Sequence, residues 1–369
     1  MTDVADGPAG GAATEEPEVV WDAVLPKPTD DDALDRVAAS RPGGLAVAPE
    51  ALPYELEERP EPPPVPNGWY ALCRSSDVAP GADGTAGPLT VVAFGREVVV
   101  FRDGDGAARV VGAYCPHMGA HLGGGEVRGG RLACPYHGWR YDGSGRCVEI
   151  PYGEGRIPSR ACVRSYEVRE VNGMVLAWYH AADAAPTYEV PAVEEVDDPA
   201  FTDAIVYRAE LVASLQDMAE NNVDYTHFFF VHGRAALDES TSRFRTDGPL
   251  STVVERFEDQ DLEFRRWTYG PGIALLRVTD LMTILTATTP IDRRHVRLLW
   301  HFHLPLAMEP LADSIVEGVT GAHGLHADVP IWRDKVFVRR PLLVKGDGPI
   351  SEFRRWYSQF YEGNPGWAP

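Results

Sequence analysis

The sequence predicts an α+β protein of two domains: a small antiparallel β domain, then a larger domain in which an antiparallel sheet carries helices. Three observations predict it. Short β-type runs separated by turn residues fill the stretch from about 68 to 180. Long alternating runs followed by helical segments, without strict alternation of strand and helix, fill the stretch from 183 onwards. The chain of 369 residues is long enough for two domains with cores of their own.

Composition narrows the class of protein. Hydrophobic residues make up 44% of the chain and charged residues 24%, values typical of soluble globular proteins. No run of 18 apolar residues occurs, and the N-terminus has no basic region followed by an apolar core, so we expect neither a transmembrane helix nor a signal peptide. Five scattered cysteines do not make a disulfide framework, which favours a reducing, cytoplasmic location. The net charge of −21 argues against nucleic acid as a partner.

Residues 1–66 differ from the rest of the chain. They hold 15 Asp and Glu against four Lys and Arg, a net charge of −11, and are rich in Pro, Gly and Ala. Such a segment buries too little apolar surface to offset its chain entropy, and Pro60 to Pro66 is typical of a stiff linker. We expect an arm that is largely disordered or wrapped onto the protein; a docking or subunit-bracing role stays open.

The β domain is expected to span 67–182, with ordered structure from Asn67 onwards. Sequences rich in Gly and Asp, at 103–106 and 142–145, are typical of the turns between its strands. The β-type runs lie at 89–94, 97–102, 108–114 and 174–179.

A motif of two cysteines and two histidines lies at the tips of this domain. It reads Cys115-x-His117, then after sixteen residues Cys134-x2-His137. A Rieske [2Fe–2S] centre needs two thiolates on one iron and two imidazoles on the other, and each loop here offers one of each. A structural zinc site is the alternative, but zinc fingers group their cysteines together and their histidines together. The spacing therefore favours the Rieske cluster.

The second domain, expected at 183–369, starts with a strand at Val206 to Val212 and a helical segment at 216–232. Helices are also predicted at 312–327 and 350–360. Between them lie long alternating β-type runs at 251–257, 261–269, 273–289 and 294–304.

The helical segment carries a second constellation, Asp224-x2-His227-x4-His232. Non-haem iron oxygenases bind iron through two histidines and one carboxylate, leaving positions open for O₂. The histidines lie five positions apart, so a helix that ends between them, with Gly233 close by, would bring both rings together. The apolar run 228–231 would keep water from the metal. Spacing alone leaves the carboxylate open among Asp313, Glu317, Asp328, Asp334 and Asp347.

Together these motifs resemble the α-subunits of Rieske non-haem iron oxygenases, over residues 67–369. Within that family the sequence is similar to steroid and sterol enzymes: the oxygenase component of 3-ketosteroid 9α-hydroxylase and, more distantly, cholesterol 7-desaturases and bacterial sterol C-4 demethylating oxygenases. The supporting residues are Cys115, His117, Cys134 and His137; Asn221, Asp224, His227 and His232; Pro135–Tyr141, Ile150–Tyr152, Ile157 and Pro158; and the stretches 327–332 and 347–361.

The resemblance implies roles for particular residues. The helix-grip-like catalytic domain would hold iron through His227, His232 and Asp328, although Ala327 stands where the family often has a second acid. Asp224 would bridge a cluster histidine and an iron histidine across a subunit boundary and so carry electrons between the centres, because a ligating histidine usually gives its other N–H to a carboxylate. A homotrimer is expected on the same ground.

The expected activity is monooxygenation of a steroid or sterol C–H bond with O₂. Electrons would come from NAD(P)H through a separate flavin reductase, with or without a ferredoxin. Desaturation, oxidative demethylation of a sterol C-4 methyl, or oxidation of a non-steroid natural product is the first alternative. A Rieske electron carrier with a binding module is the second, and it would leave the second constellation without a purpose. His301, His303, His323 and His326 are expected to have no ligating role.

Overall fold

The computed structural model describes residues 61–78, 87–233, 242–256 and 262–363. The predicted arm therefore lies outside the described residues up to position 60. Residues 62–66 are mostly buried; Val65 joins the core, and Arg293 donates to the carbonyl of Pro62. Within the described ranges, no helix is both long and apolar enough to cross a bilayer.

Ten strands make up the first part of the described chain, and all of them pair antiparallel in three small sheets. Strand orders are β1-β10-β9, β2-β3-β4 and β5-β6-β7-β8. Four of these strands coincide with predicted β-type runs, since their Val-rich alternation suits a half-buried sheet. The strands are β1 Gly68–Arg74, β2 Leu89–Ala93, β3 Arg96–Arg102, β4 Ala108–Gly112, β5 Glu126–Arg128, β6 Arg131–Ala133, β7 Arg140–Tyr141, β8 Cys147–Glu149, β9 Val168–Val171 and β10 Met174–Tyr179.

The second part is one seven-stranded antiparallel sheet with short helices on one face. Its strand order is β11-β17-β16-β15-β14-β13-β12, so the first strand pairs with the last. The strands are β11 Ile205–Val212, β12 Arg243–Asp247, β13 Leu250–Arg256, β14 Glu263–Tyr269, β15 Ile273–Val278, β16 Met282–Pro290 and β17 His295–His303. The helices are α1 Leu215–Glu220, α2 Tyr225–Phe230, α3 Ala312–Thr320, α4 Leu325–Asp334 and α5 Ile350–Tyr357.

Three predicted elements are each divided in two. The segment 216–232 forms α1 and α2, because Asp224 caps α2 with its side chain and starts a new helix. The run 273–289 forms β15 and β16, with a turn at Asp280 in the left-handed region. The predicted helix at 312–327 ends at Gly321, where the backbone becomes extended, and α4 starts after Gly324. Pattern alone does not locate such breaks inside one apolar run.

The two faces of the large sheet have different partners. Leu275, Leu285 and Leu299 share one face, which packs against Trp69 and Leu176 of the first part. Leu276, Ile284 and Trp300 occupy the opposite face, under the helices. Alternation along each strand thus gives one side of the sheet to the β domain and the other to the site.

Candidate metal centres

The two cysteine loops are built alike. Gly119 donates its N–H to the carbonyl of Cys115 at 2.9 Å, and Gly138 donates to that of Cys134 at 3.0 Å. Both glycines have positive φ, +76° and +70°, a conformation that a residue with a Cβ rarely adopts. Each loop therefore turns back tightly enough to aim its cysteine and its histidine to the same side.

These loops bring the two predicted cluster histidines near each other and the two predicted cluster cysteines near each other. The rings of His117 and His137 are 4.7 Å apart, and Cys115 and Cys134 are buried at 2% and 4% exposure. His137 Nδ1 is buried without a hydrogen-bond partner among the described residues. Two buried thiols beside two imidazoles, one with an orphaned nitrogen, fit the donor set of a Rieske cluster.

Hydrogen bonds aimed at the sulfurs support this fit. Burial raises the pKa of the Cys134 thiol, and the N–H groups of Tyr136 and His137, which donate to its sulfur, oppose that rise. The hydroxyl of Tyr141 lies 3.0 Å from Cys115 Sγ. Burial raises the pKa of Tyr141, so the phenol keeps its proton and can donate it to a thiolate. No role was predicted for this hydroxyl, although the place of Tyr141 directly after the second loop was a usable signal.

The second constellation lies where α1, α2 and α4 meet. The Asp224 carboxylate accepts the N–H of His227 at 3.1 Å and so caps α2. His227 Nδ1 lies 2.5 Å from the carbonyl of Asp224, and His232 Nδ1 lies 3.1 Å from that of His323. Since a carbonyl can only accept, both Nδ1 atoms donate, so Nε2 is the nitrogen of each ring that can bind a metal.

Asp328 completes the group. His232 Nε2 lies 3.3 Å from Asp328 Oδ2, and one donor atom from each of His227, His232 and Asp328 lies within 4.8 Å of the others. Burial lowers the pKa of His227, and Asp224 and Asp328 oppose that change, so the imidazole is held in the neutral form that binds metals. The imidazoles of His227 and His232 and the buried carboxylate of Asp328 fit a non-haem iron.

The other carboxylates that spacing had left open have different places. Asp334 pairs with Arg333, and Asp347 accepts the N–H of Val344. His326 contacts the hydroxyl of Tyr207 at 3.2 Å, and His323 contributes its carbonyl to His232. His301 and His303 are buried on the sheet face that is turned away from the helices.

A buried polar network fixes α1, the helix that precedes the iron residues. Arg354 of α5 binds both carboxylate oxygens of Glu220, at 2.8 and 2.7 Å, and Glu220 is only 6% exposed. Gln216 links Glu220 to the hydroxyl of Tyr361. The sequence contains no local signal for this pair, because Glu220 and Arg354 lie 134 positions apart.

One cavity connects the iron residues with the sheet. His227, His232 and Asp328 line it together with an apolar wall from β15 and β16 that includes Ile273, Leu276, Met282 and Ile284. The stretch 273–289, predicted as a β-type run, thus contributes residues to the cavity wall. Two buried donors of the wall, Arg266 Nη1 and Trp300 Nε1, have no acceptor among the described residues.

Comparison with known families and proteins agrees with this geometry. Residues 68–167 match the model of the Rieske [2Fe-2S] domain, and residues 177–361 match that of the 3-ketosteroid 9α-hydroxylase C-terminal domain. A cholesterol 7-desaturase of Ciona intestinalis is 32% identical over 82% of this chain and 70% of its own length. A probable 3-ketosteroid 9α-monooxygenase oxygenase component of Rhodococcus rhodochrous is 33% identical over 80% of this chain and 79% of its own.

Solved structures show the same fold at lower identity. Dicamba monooxygenase bound to dicamba superposes with a TM-score of 0.65 at 18% identity, covering 80% of this chain and 96% of that one. NdmA of Pseudomonas putida with caffeine gives 0.66 at 22% identity, covering 79% and 89%. The chain therefore belongs to the Rieske non-haem iron oxygenases, in the family defined by the 3-ketosteroid 9α-hydroxylase C-terminal domain.

Proposed function

We propose that the protein is the terminal oxygenase component of a multicomponent monooxygenase that oxidises a C–H bond of a steroid or sterol. The observation that carries the proposal is the presence of two donor sets in one chain: two thiols with two imidazoles, and two imidazoles with a carboxylate. An electron carrier needs only the first set. The proposed division of the chain is an arm at 1–66, a Rieske domain at 67–182 and a catalytic domain at 183–369.

The protein's residues have distinct tasks in this reaction. Cys115, His117, Cys134 and His137 would hold the cluster; His227, His232 and Asp328 would hold the iron. When bound, these groups supply single-electron transfer and open positions for O₂. Main-chain carbonyls orient both iron histidines, and the apolar wall of the cavity excludes water and positions a hydrophobic ligand.

We further propose that Asp224 is the electron bridge between the centres and that the protein is a homotrimer. The side chain of Asp224 is 38% exposed, so it can accept a hydrogen bond from another subunit while the main-chain carbonyl of Asp224 holds His227. Around the cluster loops, Met118, Tyr136 and Tyr152 are exposed by 59–64%, an apolar surface suited to a neighbouring copy.

The electron donor would be a flavin reductase, with or without a ferredoxin, that oxidises NAD(P)H. A cytoplasmic location is consistent with all five cysteines being free thiols.

Iron content and turnover test the proposal. The purified protein should contain three irons per chain, whereas a pure carrier would contain two. It would be reduced anaerobically with NADH and an unspecific reductase, then exposed to O₂ with a panel of steroids and sterols, and products would be read by mass. A gain of one oxygen on a steroid or sterol supports the proposal. Three irons without turnover of any polycyclic compound would overturn the substrate assignment.

Desaturation is the second candidate, favoured by the 32% identity to a cholesterol 7-desaturase. It would use the same residues to hold the same groups, because the donor set does not determine the fate of the substrate after C–H attack. The same mass measurement separates the two outcomes: loss of two hydrogens indicates desaturation. Oxidation of a C-4 methyl group would instead indicate demethylation.

A further inference from the structure

The wall of the cavity contains two charged residues that the proposed chemistry does not use, Arg266 and Glu255. Arg266 lies on β14, on the face shared with Leu276 and Ile284. Its side chain is 16% exposed, and Nη1 is buried. Among the described residues, nothing accepts a hydrogen bond from that nitrogen. A buried guanidinium N–H without an acceptor is costly, so its presence at a ligand cavity calls for an explanation.

Glu255 compensates the charge of Arg266 without satisfying this nitrogen. It stands on β13, opposite Phe264 and therefore diagonal to Arg266, and is 1% exposed. Its Oε1 is 3.8 Å from Arg266 Nη1, beyond hydrogen-bond distance but near enough for charge pairing. The pair is close to neutral as a whole, so it suits a neutral oxygen better than a second carboxylate.

The position of Arg266 within the cavity is also informative. Helix α4, which carries Asp328, packs on β11, at one edge of the sheet. Arg266 is on β14, which is four strands away from β11 in the sheet order, about 19 Å measured across the strands. Apolar side chains of β15 and β16 occupy the distance between. A rigid ligand with its reacting carbon near the iron residues would extend its other end towards Arg266.

We infer that Arg266, held by Glu255, binds a neutral oxygen, a ketone or hydroxyl, at the end of the substrate remote from the reacting carbon. This inference rests on the proposed function and deepens it, because it selects oxygenated polycyclic substrates over hydrocarbon ones. Buried hydrogen-bonding groups discriminate strongly, since a ligand without the oxygen leaves the donor unpaired.

Binding to the metal-loaded oxygenase, measured without a reductase, tests the inference. The ligands are 5α-androstane, its 3-ketone, its 17-ketone and its 3,17-diketone, with dissociation constants from equilibrium dialysis. We expect wild type to bind the diketone and one of the two monoketones about 10- to 100-fold more tightly than the hydrocarbon, the range for a hydrogen bond from a charged group. Equal binding of all four compounds by wild type would overturn this inference alone.

Variants assign the effect to Arg266. Arg266→Met should remove the preference for the ketone and leave hydrocarbon binding unchanged. The double variant Glu255→Gln/Arg266→Met should do the same without leaving a buried charge, which protects the test against misfolding. The control is Arg265→Met. Arg265 directly precedes Arg266 on β14, points to the opposite face of the sheet and pairs with Glu263. An unchanged preference in folded Arg266→Met protein would refute the inference.

The two proposals can fail separately. If wild type binds neither ketone nor hydrocarbon and turns over no steroid or sterol, the proposed function is wrong, and this inference falls with it. If wild type oxidises steroids and Arg266→Met behaves as wild type towards all four ligands, only the role of Arg266 is wrong.

Discussion

The two metal centres of this protein are assembled in opposite ways. The cluster residues come from two similar turns within 115–137, each closed by its own glycine. The iron residues come from α2, from the turn directly after it and from α4, and the strands β12–β17 lie between α2 and α4 in sequence. The first centre therefore depends on local turns, whereas the second depends on long-range packing. Substitutions far from the iron residues should damage the second centre and spare the first.

The largest effect is expected from an iron residue itself. His232→Ala removes one of the three donor atoms that lie within 4.8 Å of each other. Iron content should fall from three to two per chain, and product formation should fall by more than about 100-fold. Mutation of residues that only hydrogen-bond to metal ligands already lowers metal affinity or activity by about 10- to 100-fold. Metal analysis and turnover measure this. His326→Ala, on the same helix as Asp328, is the control and should keep three irons.

Next comes the buried ion pair behind the iron centre. Arg354→Met leaves Glu220 charged and buried, which should cost about 3–5 kcal/mol in the free energy of unfolding. Urea unfolding measures this cost, and the absorbance of the cluster and the iron content show which centre suffers. Iron should be lost while the cluster stays. Arg355→Met, at the exposed neighbouring position, should be near neutral. Equal loss of both centres would contradict the contrast between them.

Asp224→Asn should separate electron transfer from structure. Asparagine caps a helix about as well as aspartate, and the carbonyl that holds His227 is unchanged. Folding and iron content should therefore stay normal, while turnover falls about 10- to 100-fold because the bridging charge is gone. Chemical reduction of the cluster should proceed as in wild type. Normal turnover in this variant would remove Asp224 from the electron path.

The smallest effect concerns His301, on the face of the large sheet that packs against the β domain. Burial, helped by His303 and Arg74, lowers the pKa of His301 to about 4, and the main chain of Asn172 opposes this. The unfolded histidine, with a pKa of about 6.5, binds more protons than the folded one between these values, so stability falls as pH drops from 6.5 towards 4. Between pH 7 and 5 this amounts to about 2 kcal/mol.

The variant His301→Leu tests that slope. It removes the titrating ring, so urea unfolding at pH 7 and pH 5 should differ by about 2 kcal/mol less than in wild type. His295→Leu is the control, since this half-buried histidine is paired with Asp292. An unchanged pH dependence in His301→Leu would show that other groups cause the acid sensitivity.

Sequence predicted the first centre more completely than the second. The cysteines and histidines of the cluster lie in a short motif whose spacing is itself the signal. His227 and His232 were also found by spacing, but Asp328 was selected by family resemblance, because several carboxylates fitted the spacing equally well. Which of these comes near α2 is decided by the packing of α4 on β11, and no local pattern encodes that.

The features that sequence missed are mostly long-range pairs. The ion pair between Glu220 and Arg354 joins segments that are far apart in the chain, and so does the packing of Val65 into the core. Arg266 is different, because strict alternation in Phe264-Arg265-Arg266-Trp267-Thr268 already places it on the face with Phe264 and Thr268. A charged residue at an inward position of an otherwise half-apolar strand was a readable signal.

The order of synthesis gives the Glu220–Arg354 pair a further meaning. A chain made from its N-terminus can pair the strands between Gly68 and Tyr179 while the large sheet is still being synthesised. His227 and His232 lack the carboxylate of Asp328 until α4 has been made, and α1 is not fixed until Arg354 follows. Last of all, Asn67 can donate its main-chain N–H to the carbonyl of Phe360 and its side-chain amide to the carbonyl of Glu362. A nascent chain can therefore bind its [2Fe–2S] cluster before it can bind its mononuclear iron.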